Sequence, residues 1–311
     1  MLKRLTKGLA DRLIPPHSNR RMLYRALRQI SRAPATFGGR INAANVSNLM
    51  KFRNCAFTCP ICGNRARPLY DFPDIPLRIE HKIGVLRETL QCNQCIGPMR
   101  QRFLAVALLT YLNARWTSQY GSIAELAAHG LGGLQILDSD NFSAISKILR
   151  NAGGYTRCSY LPSLPFGSRL EPNYFNEDLQ QLSFPDASFD VVLTSDVMEH
   201  VRDCDSAHRE IYRVLASGGA YIFTVPFDSN SEEDIQLVDT STDHDVYLRP
   251  RQIHGDPLSG GILAYRVFGR RLIRNLESLG FEVEFHLLQQ PMHLIIDGDV
   301  FIARKPIRPA K

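Results

Sequence analysis

Two Cys-x-x-Cys pairs, Cys59-Pro60-Ile61-Cys62 and Cys92-Asn93-Gln94-Cys95, are separated by 29 residues. Each pair is a knuckle whose tight turn aims two thiolates at one point. Two knuckles make a tetrahedral set suited to Zn²⁺, and a closed set of four thiolates predicts a structural ion rather than a Lewis acid. Cys55, four residues ahead of the first pair, is a competing ligand that lacks a paired partner. The total of seven cysteines is odd, which fits metal binding in a reduced compartment better than a disulfide framework. A second group is the turn Arg249-Pro-Arg-Gln-Ile-His254-Gly-Asp256-Pro257. Histidine suits general-base work near neutral pH, and a neighbouring carboxylate can orient it, so His254 and Asp256 are candidate catalytic residues. A third group, Ser195, Asp196, Glu199 and His200, follows directly on an apolar run. The plainer alternatives are a turn-capping His254 and a Glu199-His200 pair that simply starts a helix.

These groups need a scaffold. Phe189 to Leu193 is a short, β-branched apolar run, as expected for a strand buried on both faces. Ser206 to Leu215 has apolar residues at helical spacing, Gly218-Gly219 is expected to stop that helix, and Ala220 to Val225 reads as the next buried strand. The unit is β-α-β, with polar and acidic residues at the carboxyl end of its first strand, where open α/β sheets bind ligands. Upstream, Leu134 to Asp138, Tyr155 to Tyr160 and Tyr174 to Asp178 read as strands, and Ser143 to Asn151 as a helix. Phe103 to Leu112 and Ser122 to His129 are helices ahead of them. Downstream, 228–245 is a polar loop expected over the site, Phe268 to Leu279 is amphipathic, and Phe281 to Leu288 with Asp299 to Arg304 form a closing antiparallel pair.

The stretch Asp178-Leu179, Ser183-Phe184-Pro185-Asp186, Ser188-Phe189-Asp190, Glu199-His200-Val201, Arg213-Val214-Leu215 and Gly218-Gly219 resembles the second half of a class I S-adenosylmethionine-dependent methyltransferase of the type 11 kind. The resemblance covers roughly residues 131 to 305. It implies a Rossmann-like, mostly parallel sheet with an antiparallel C-terminal strand, preceded by a small zinc ribbon. It also implies S-adenosylmethionine as cofactor, with Asp178 and Leu179 by the adenine. Asp138, Ser139 and Asp140 would lie in the loop after the first strand, Tyr160 at the second strand's end, and Ser195 and Asp196 after the fourth. The family's first loop is Gly-x-Gly; here it is Asp138-Ser139-Asp140-Asn141-Phe142-Ser143, with no glycine. Small polar residues can shape a tighter turn, Asn tolerating φ > 0. The family's ribose-binding acid is replaced by Ser159-Tyr160-Leu161. The motif Arg87-Glu88, Cys92, Cys95, Arg100, Arg102 resembles the ribbon that precedes such domains, and sugar C-methyltransferases also carry a four-cysteine zinc module there.

The expected division is a basic tail and linker over 1–54, a ribbon over 55–102, connecting helices over 103–130 and a methyltransferase-like domain over 131–311. Charge follows this division. Residues 1–54 hold twelve Lys/Arg against one acid, Asp11, whereas the remainder holds 25 bases and 30 acids. Within the tail, 1–33 carries two short amphipathic segments split by Pro15-Pro16. It is expected to touch an anionic membrane surface; a nucleic-acid arm, a mitochondrial presequence and a helix packed on the main body are the alternatives. No run of about 18 apolar residues exists, and the N-terminus has no apolar signal core. A cytoplasmic protein, peripheral to the membrane at most, is expected.

These features together imply a methyltransferase acting on a sugar, glycolipid or polysaccharide precursor, with a small-molecule or glycan acceptor. The glycine-free loop and missing ribose acid favour instead a catalytically silent binding or assembly module. An RNA methyltransferase is the third possibility, disfavoured by an acidic body without an aromatic-basic stripe.

Overall fold

The structure, a computed structural model, describes residues 17–22, 43–71, 82–115, 119–255 and 258–307. Most of the basic segment 1–33 and all of the Asp256-Pro257 step lie outside them. The chain divides into two compact units. One comprises Met1–Phe103 with Leu288–Gly298, the other Leu104–Leu287 with Asp299–Lys311. Among the described residues no helix is long and apolar enough to cross a membrane.

In the first unit, Phe57–Thr58 pairs with Arg65–Ala66, and Pro68–Tyr70 pairs with Leu90–Cys92, both antiparallel. Strands this short cannot bury a core of their own. What fixes them is Arg102, whose guanidinium is fully buried. It donates to the carbonyls of Leu90, Gly97, His293 and Leu294 and stacks 4.9 Å from the centre of the Phe57 ring. Glu88 pairs with Arg100 through both carboxylate oxygens.

The second unit is organised on an eight-stranded sheet, two of whose strands also reach into the first unit. Its strands are β1 (Ile136–Asp138), β2 (Tyr155–Ser159), β3 (Arg169–Glu171), β4 (Tyr174–Asn176), β5 (Phe189–Ser195), β6 (Leu215–Thr224), β7 (Glu282–Gln290) and β8 (Ile295–Arg304). The spatial order is β7-β8-β6-β5-β1-β2-β4-β3. The pairs β4–β2, β2–β1, β1–β5 and β5–β6 are parallel; β8 runs antiparallel to β6, and β3 to β4. This is the mostly parallel, Rossmann-like methyltransferase sheet implied by the motifs. Strand β5 sits at the centre, and Val191, Val192 and Leu193 are buried, as their β-branched run requires.

Helix α1 (Met99–Arg115) is apolar along most of its length, and α2 (Ile123–Ala128) is N-capped by Ser122. Ser143 caps α3 (Ala144–Leu149), accepting from the Ser146 amide. Asp203 caps α4 (Cys204–Val214), which packs Ala207, Ile211 and Val214 into the core; Leu272 and Leu276 of α5 (Arg271–Ser278) join them. Burial pushes the His208 imidazole of α4 down to about 4, so it stays neutral.

Three local expectations are corrected. Gly218-Gly219 does not stop α4. The helix ends at Val214, and β6 begins at Leu215 and runs through both glycines, with a register shift between Leu215 and Ala220. At Gly219 a Cβ would come within 2.9 Å of the Asp190 carbonyl and 3.0 Å of the Ala216 carbonyl, so glycine is there for close backbone approach. Likewise, Glu199-His200-Val201 does not open a helix. It forms a single 3₁₀ turn, Met198–His200, and α4 starts only at Cys204. The polar 228–245 segment is not plain loop: Ile235–Gln236 and Val238–Asp239 form short ladders with Arg266–Val267 and Val246–Tyr247. Gly219→Ala is expected to lower unfolding stability by about 1–3 kcal/mol, because backbone atoms cannot yield to the new methyl. Gly153→Ala, where nothing lies within 4 Å, should stay within about 0.5 kcal/mol. Denaturant unfolding of both variants measures the contrast.

Candidate functional site

At the carboxyl end of β1 the glycine-free loop closes without left-handed backbone. No residue from Asp138 to Ser143 has a positive φ, so the expected φ > 0 at Asn141 is not what shapes the turn. Side chains do it instead. The buried Asp138 carboxylate accepts from the Tyr155 hydroxyl at 2.6 Å and from the Asp140 amide at 2.8 Å. The Ser139 amide donates to the Leu193 carbonyl of β5. Asn141 Oδ1 accepts from Arg157 of β2 at 2.6 Å, and Arg157 also reaches Glu171 at 3.2 Å and stacks over Tyr174. Burial, reinforced by the nearby Asp140 charge, pushes the Asp138 carboxyl up to about 7, against the opposing bond from Tyr155.

The next two strand ends are also built. Tyr160 follows β2, is half exposed, and stacks on Phe166 at 5.4 Å. The loop that carries this pair hangs on Asn176 at the end of β4. Its buried carboxamide donates to the carbonyls of Leu161, Leu164 and Pro165 and accepts from the Leu161 amide. The Asp178 carboxylate is occupied by the amide and side chain of Gln180, and Leu179 is buried beside it. At the end of β5, Ser195 is buried and Asp196 takes φ 51°, held by Thr224 through its amide and Oδ1. A non-glycine residue in the left-handed region at a sheet's carboxyl edge marks a place where backbone direction is forced.

The structure brings Glu199, His200 and His254 together, although 54 residues separate the two histidines. The 3₁₀ turn presents Glu199 and His200, and the ladder Ile253–His254 with Ile262–Leu263 presents His254. The Tyr265 amide ties the two by donating to the Glu199 carbonyl. His200 Nδ1 lies 2.8 Å from the Leu263 carbonyl, which only accepts, so Nδ1 carries a proton. In neutral His200, Nε2 is then an acceptor. His254 Nδ1, 3.2 Å away, is its donor, which leaves the lone pair of His254 on Nε2. The buried Glu199 Oε1 stands 3.5 Å from His200 Nε2 and 3.8 Å from His254 Nδ1. The Glu199 carboxyl group thus stands close to both rings. The orienting acid that the structure shows beside His254 is Glu199; Asp256 lies outside the described residues.

In the other unit the four thiols of Cys59, Cys62, Cys92 and Cys95 converge within 4.8 Å of one another. Cys59 and Cys95 are 3.8 Å apart, Cys62 and Cys92 4.0 Å. Cys55 is not among them; its Sγ faces the Lys51 carbonyl. Each knuckle turns just after its second cysteine, at Gly63 (φ 75°) and Ile96 (φ 61°). Hydrogen bonds from Cys59 and Cys95 hold the Cys92 thiol well below its usual range, while its bond to Cys92 raises Cys59. Four soft donors at this spacing fit a tetrahedral zinc ion. Burial pushes Arg102 down to about 10, opposed by the charge of Cys59, Cys92 and Cys95.

Residues 160–223 match a family described as a methyltransferase domain, which is about a fifth of the chain. The segment holds Tyr160, Asp178, Ser195, Asp196, Glu199 and His200. Over 66 residues the chain is 32% identical to sterol 24-C-methyltransferase erg6 of Aspergillus fumigatus, covering 20% of this chain and 18% of that protein. The chain thus spans about a fifth of the length of the curated relative it matches. Among solved structures, a SAM-dependent methyltransferase from Methanosarcina mazei is 20% identical with a TM-score of 0.35, covering 56% of this chain and 93% of that one. An S-adenosylmethionine-dependent methyltransferase from Mesorhizobium loti is 17% identical with a TM-score of 0.37, covering 59% and 98%. Strand order together with the matched segment defines a class I methyltransferase type of fold.

Three residues of this edge carry no signal of their own in the sequence: Arg157, Tyr155 and Asn176. The one hint was a base inside a buried strand run, Tyr155-Thr-Arg157-Cys-Ser. The raised Asp138 carboxyl gives a pH prediction. Its folded value lies above the unfolded one, so its contribution is full below about pH 4 and is lost as pH rises through about 7. From 3.8 to about 7 that is on the order of 4 kcal/mol. Asp138→Asn is expected to flatten the fall in melting temperature between pH 5 and 8, measured by calorimetry. A wild-type curve already flat over that window contradicts it.

Proposed function

We propose that this chain is an S-adenosylmethionine-dependent methyltransferase that acts on a sugar, glycolipid or polysaccharide precursor. The observation that carries the reading is the Glu199–His200–His254 relay set beside the carboxyl ends of β5 and β6. Asp138, Ser139, Asp140, Tyr160, Asp178, Leu179, Ser195 and Asp196 would hold the cofactor, which supplies a methyl group on a sulfonium. His254 Nε2 would accept the proton of the acceptor hydroxyl or amine; the methyl carbon would leave the sulfonium sulfur, and the cofactor would depart as the neutral thioether S-adenosylhomocysteine. His200 fixes the tautomer of His254, and Glu199 stabilises the imidazolium that results. Alignment contributes the rest, since the displacement must be in line. The four-cysteine cluster is a structural zinc site in this reading, and the tail over 1–33 makes a peripheral contact with anionic membrane.

One observation favours a second reading, the silent binding module. Asp138 is already committed to Tyr155 and Asp140, and Asn141 to Arg157, so the first loop is built around its own contacts. Calorimetric titration with S-adenosylhomocysteine separates the two. The methyltransferase reading expects saturable one-to-one binding; none leaves the scaffold.

His254→Ala is expected to leave S-adenosylhomocysteine affinity within about twofold and cut turnover about a hundredfold or more. Unchanged turnover removes His254 from the mechanism. Cys62→Ser is expected to abolish zinc retention at the cluster and to lower stability by several kcal/mol; full zinc content in that variant contradicts the assignment.

A further inference from the structure

Helix α4 carries a group that the methyl-transfer reading does not use. His208 is only 1% exposed, and among the described residues neither of its ring nitrogens has a hydrogen-bond partner. A buried imidazole with both nitrogens unsatisfied is disfavoured unless something else takes a lone pair. The Tyr221 ring centre stands 6.1 Å from that of His208. On the same helix face, one turn earlier, stand Cys204 and Asp205. At 100° per residue, positions 204, 208 and 205 fall within a single arc of about 100°, with His208 between the other two.

Cys204, Asp205 and His208 each offer one ligand atom, and these atoms all lie within 4.8 Å of one another. A tetrahedral zinc ion with bonds of about 2.0–2.3 Å sets its donors roughly 3.3–3.8 Å apart, so about 1 Å of side-chain closure is needed. Asp205 is already oriented: its Oδ1, 3.9 Å from the Cys204 sulfur, also accepts from Asn275 Nδ2 at 3.2 Å. That is the support a ligating carboxylate commonly has. An entry path exists as well: Cys204 and Asp205 line an open cavity of about 550 Å³, along with Asp234, Gln236 and Arg266.

We propose that Cys204, Asp205 and His208 form a second binding site for a borderline divalent cation of the zinc class. Thiolate, carboxylate and neutral imidazole are donors such an ion accepts together. Their two negative charges match the dication, and binding sends the Cys204 thiol proton to solvent. With three protein donors, the coordination leaves one position for water or an anionic ligand.

The test uses the full chain, tag-free and reduced, stripped with a chelator and titrated with Zn²⁺ and with Co²⁺. Wild type is expected to hold two equivalents, and His208→Asn one. Cobalt in Cys62→Ser should keep a single-thiolate charge-transfer band weaker than that of a four-thiolate site. Cys204→Ser, at a partly exposed position, should weaken the second equivalent at least a hundredfold, and it decides the matter if His208→Asn does not fold. A wild type that holds one equivalent, lost in Cys62→Ser and kept in Cys204→Ser, overturns the proposal. One equivalent lost in Cys204→Ser and kept in Cys62→Ser instead overturns the zinc reading of the four-cysteine cluster and leaves this site standing.

Discussion

Parallel strands deliver all their polar ends to one edge, and everything buried at that edge must find a partner within the fold. In this chain the demand is met around one carboxylate. Asp138 leaves the sheet buried, and Tyr155 from the neighbouring strand closes on it. Two residues further along that strand, Arg157 captures Asn141 from the loop. A loop that other sequences make with flexible glycine backbone is made here with side-chain bonds. The geometry of β1, α3 and β2 is thereby tied together, because moving any one of them breaks a buried polar contact.

The same economy recurs along the edge. Asn176 uses both ends of its amide to hold the Tyr160–Phe166 loop, and Thr224 uses its hydroxyl to hold Asp196 in an uncommon backbone conformation. The edge therefore presents fixed positions rather than compliant ones. The two histidines fit this pattern: a carbonyl sets the tautomer of one, and that one sets the tautomer of the other.

The sheet was legible in the sequence because its central strands are buried on both faces, which forces apolar, β-branched runs such as Phe189 to Leu193. Meeting points were less legible. Glu199-His200 and His254 could each be flagged by residue type, but only the ladder of 253–254 with 262–263 brings them into contact. Gly218-Gly219 misled because glycine ends helices and also admits close backbone approach; the Asp190 carbonyl that decides between them is 29 residues away in the chain. The converging cysteines were visible from spacing alone, yet the second knuckle turns at Ile96, where nothing in the residue type announces a left-handed turn.

The unit that begins the chain is not finished by the residues that begin it. Arg102 takes two of its four carbonyl partners from His293 and Leu294, in the segment between β7 and β8. During synthesis Arg102 emerges together with two of the oxygens that solvate it, but the other two emerge almost 200 residues later. Until then the guanidinium stays better off in water than in its native place. The cysteine-bearing strands are thus made well before they can become permanent, and their completion waits on the synthesis of Leu294.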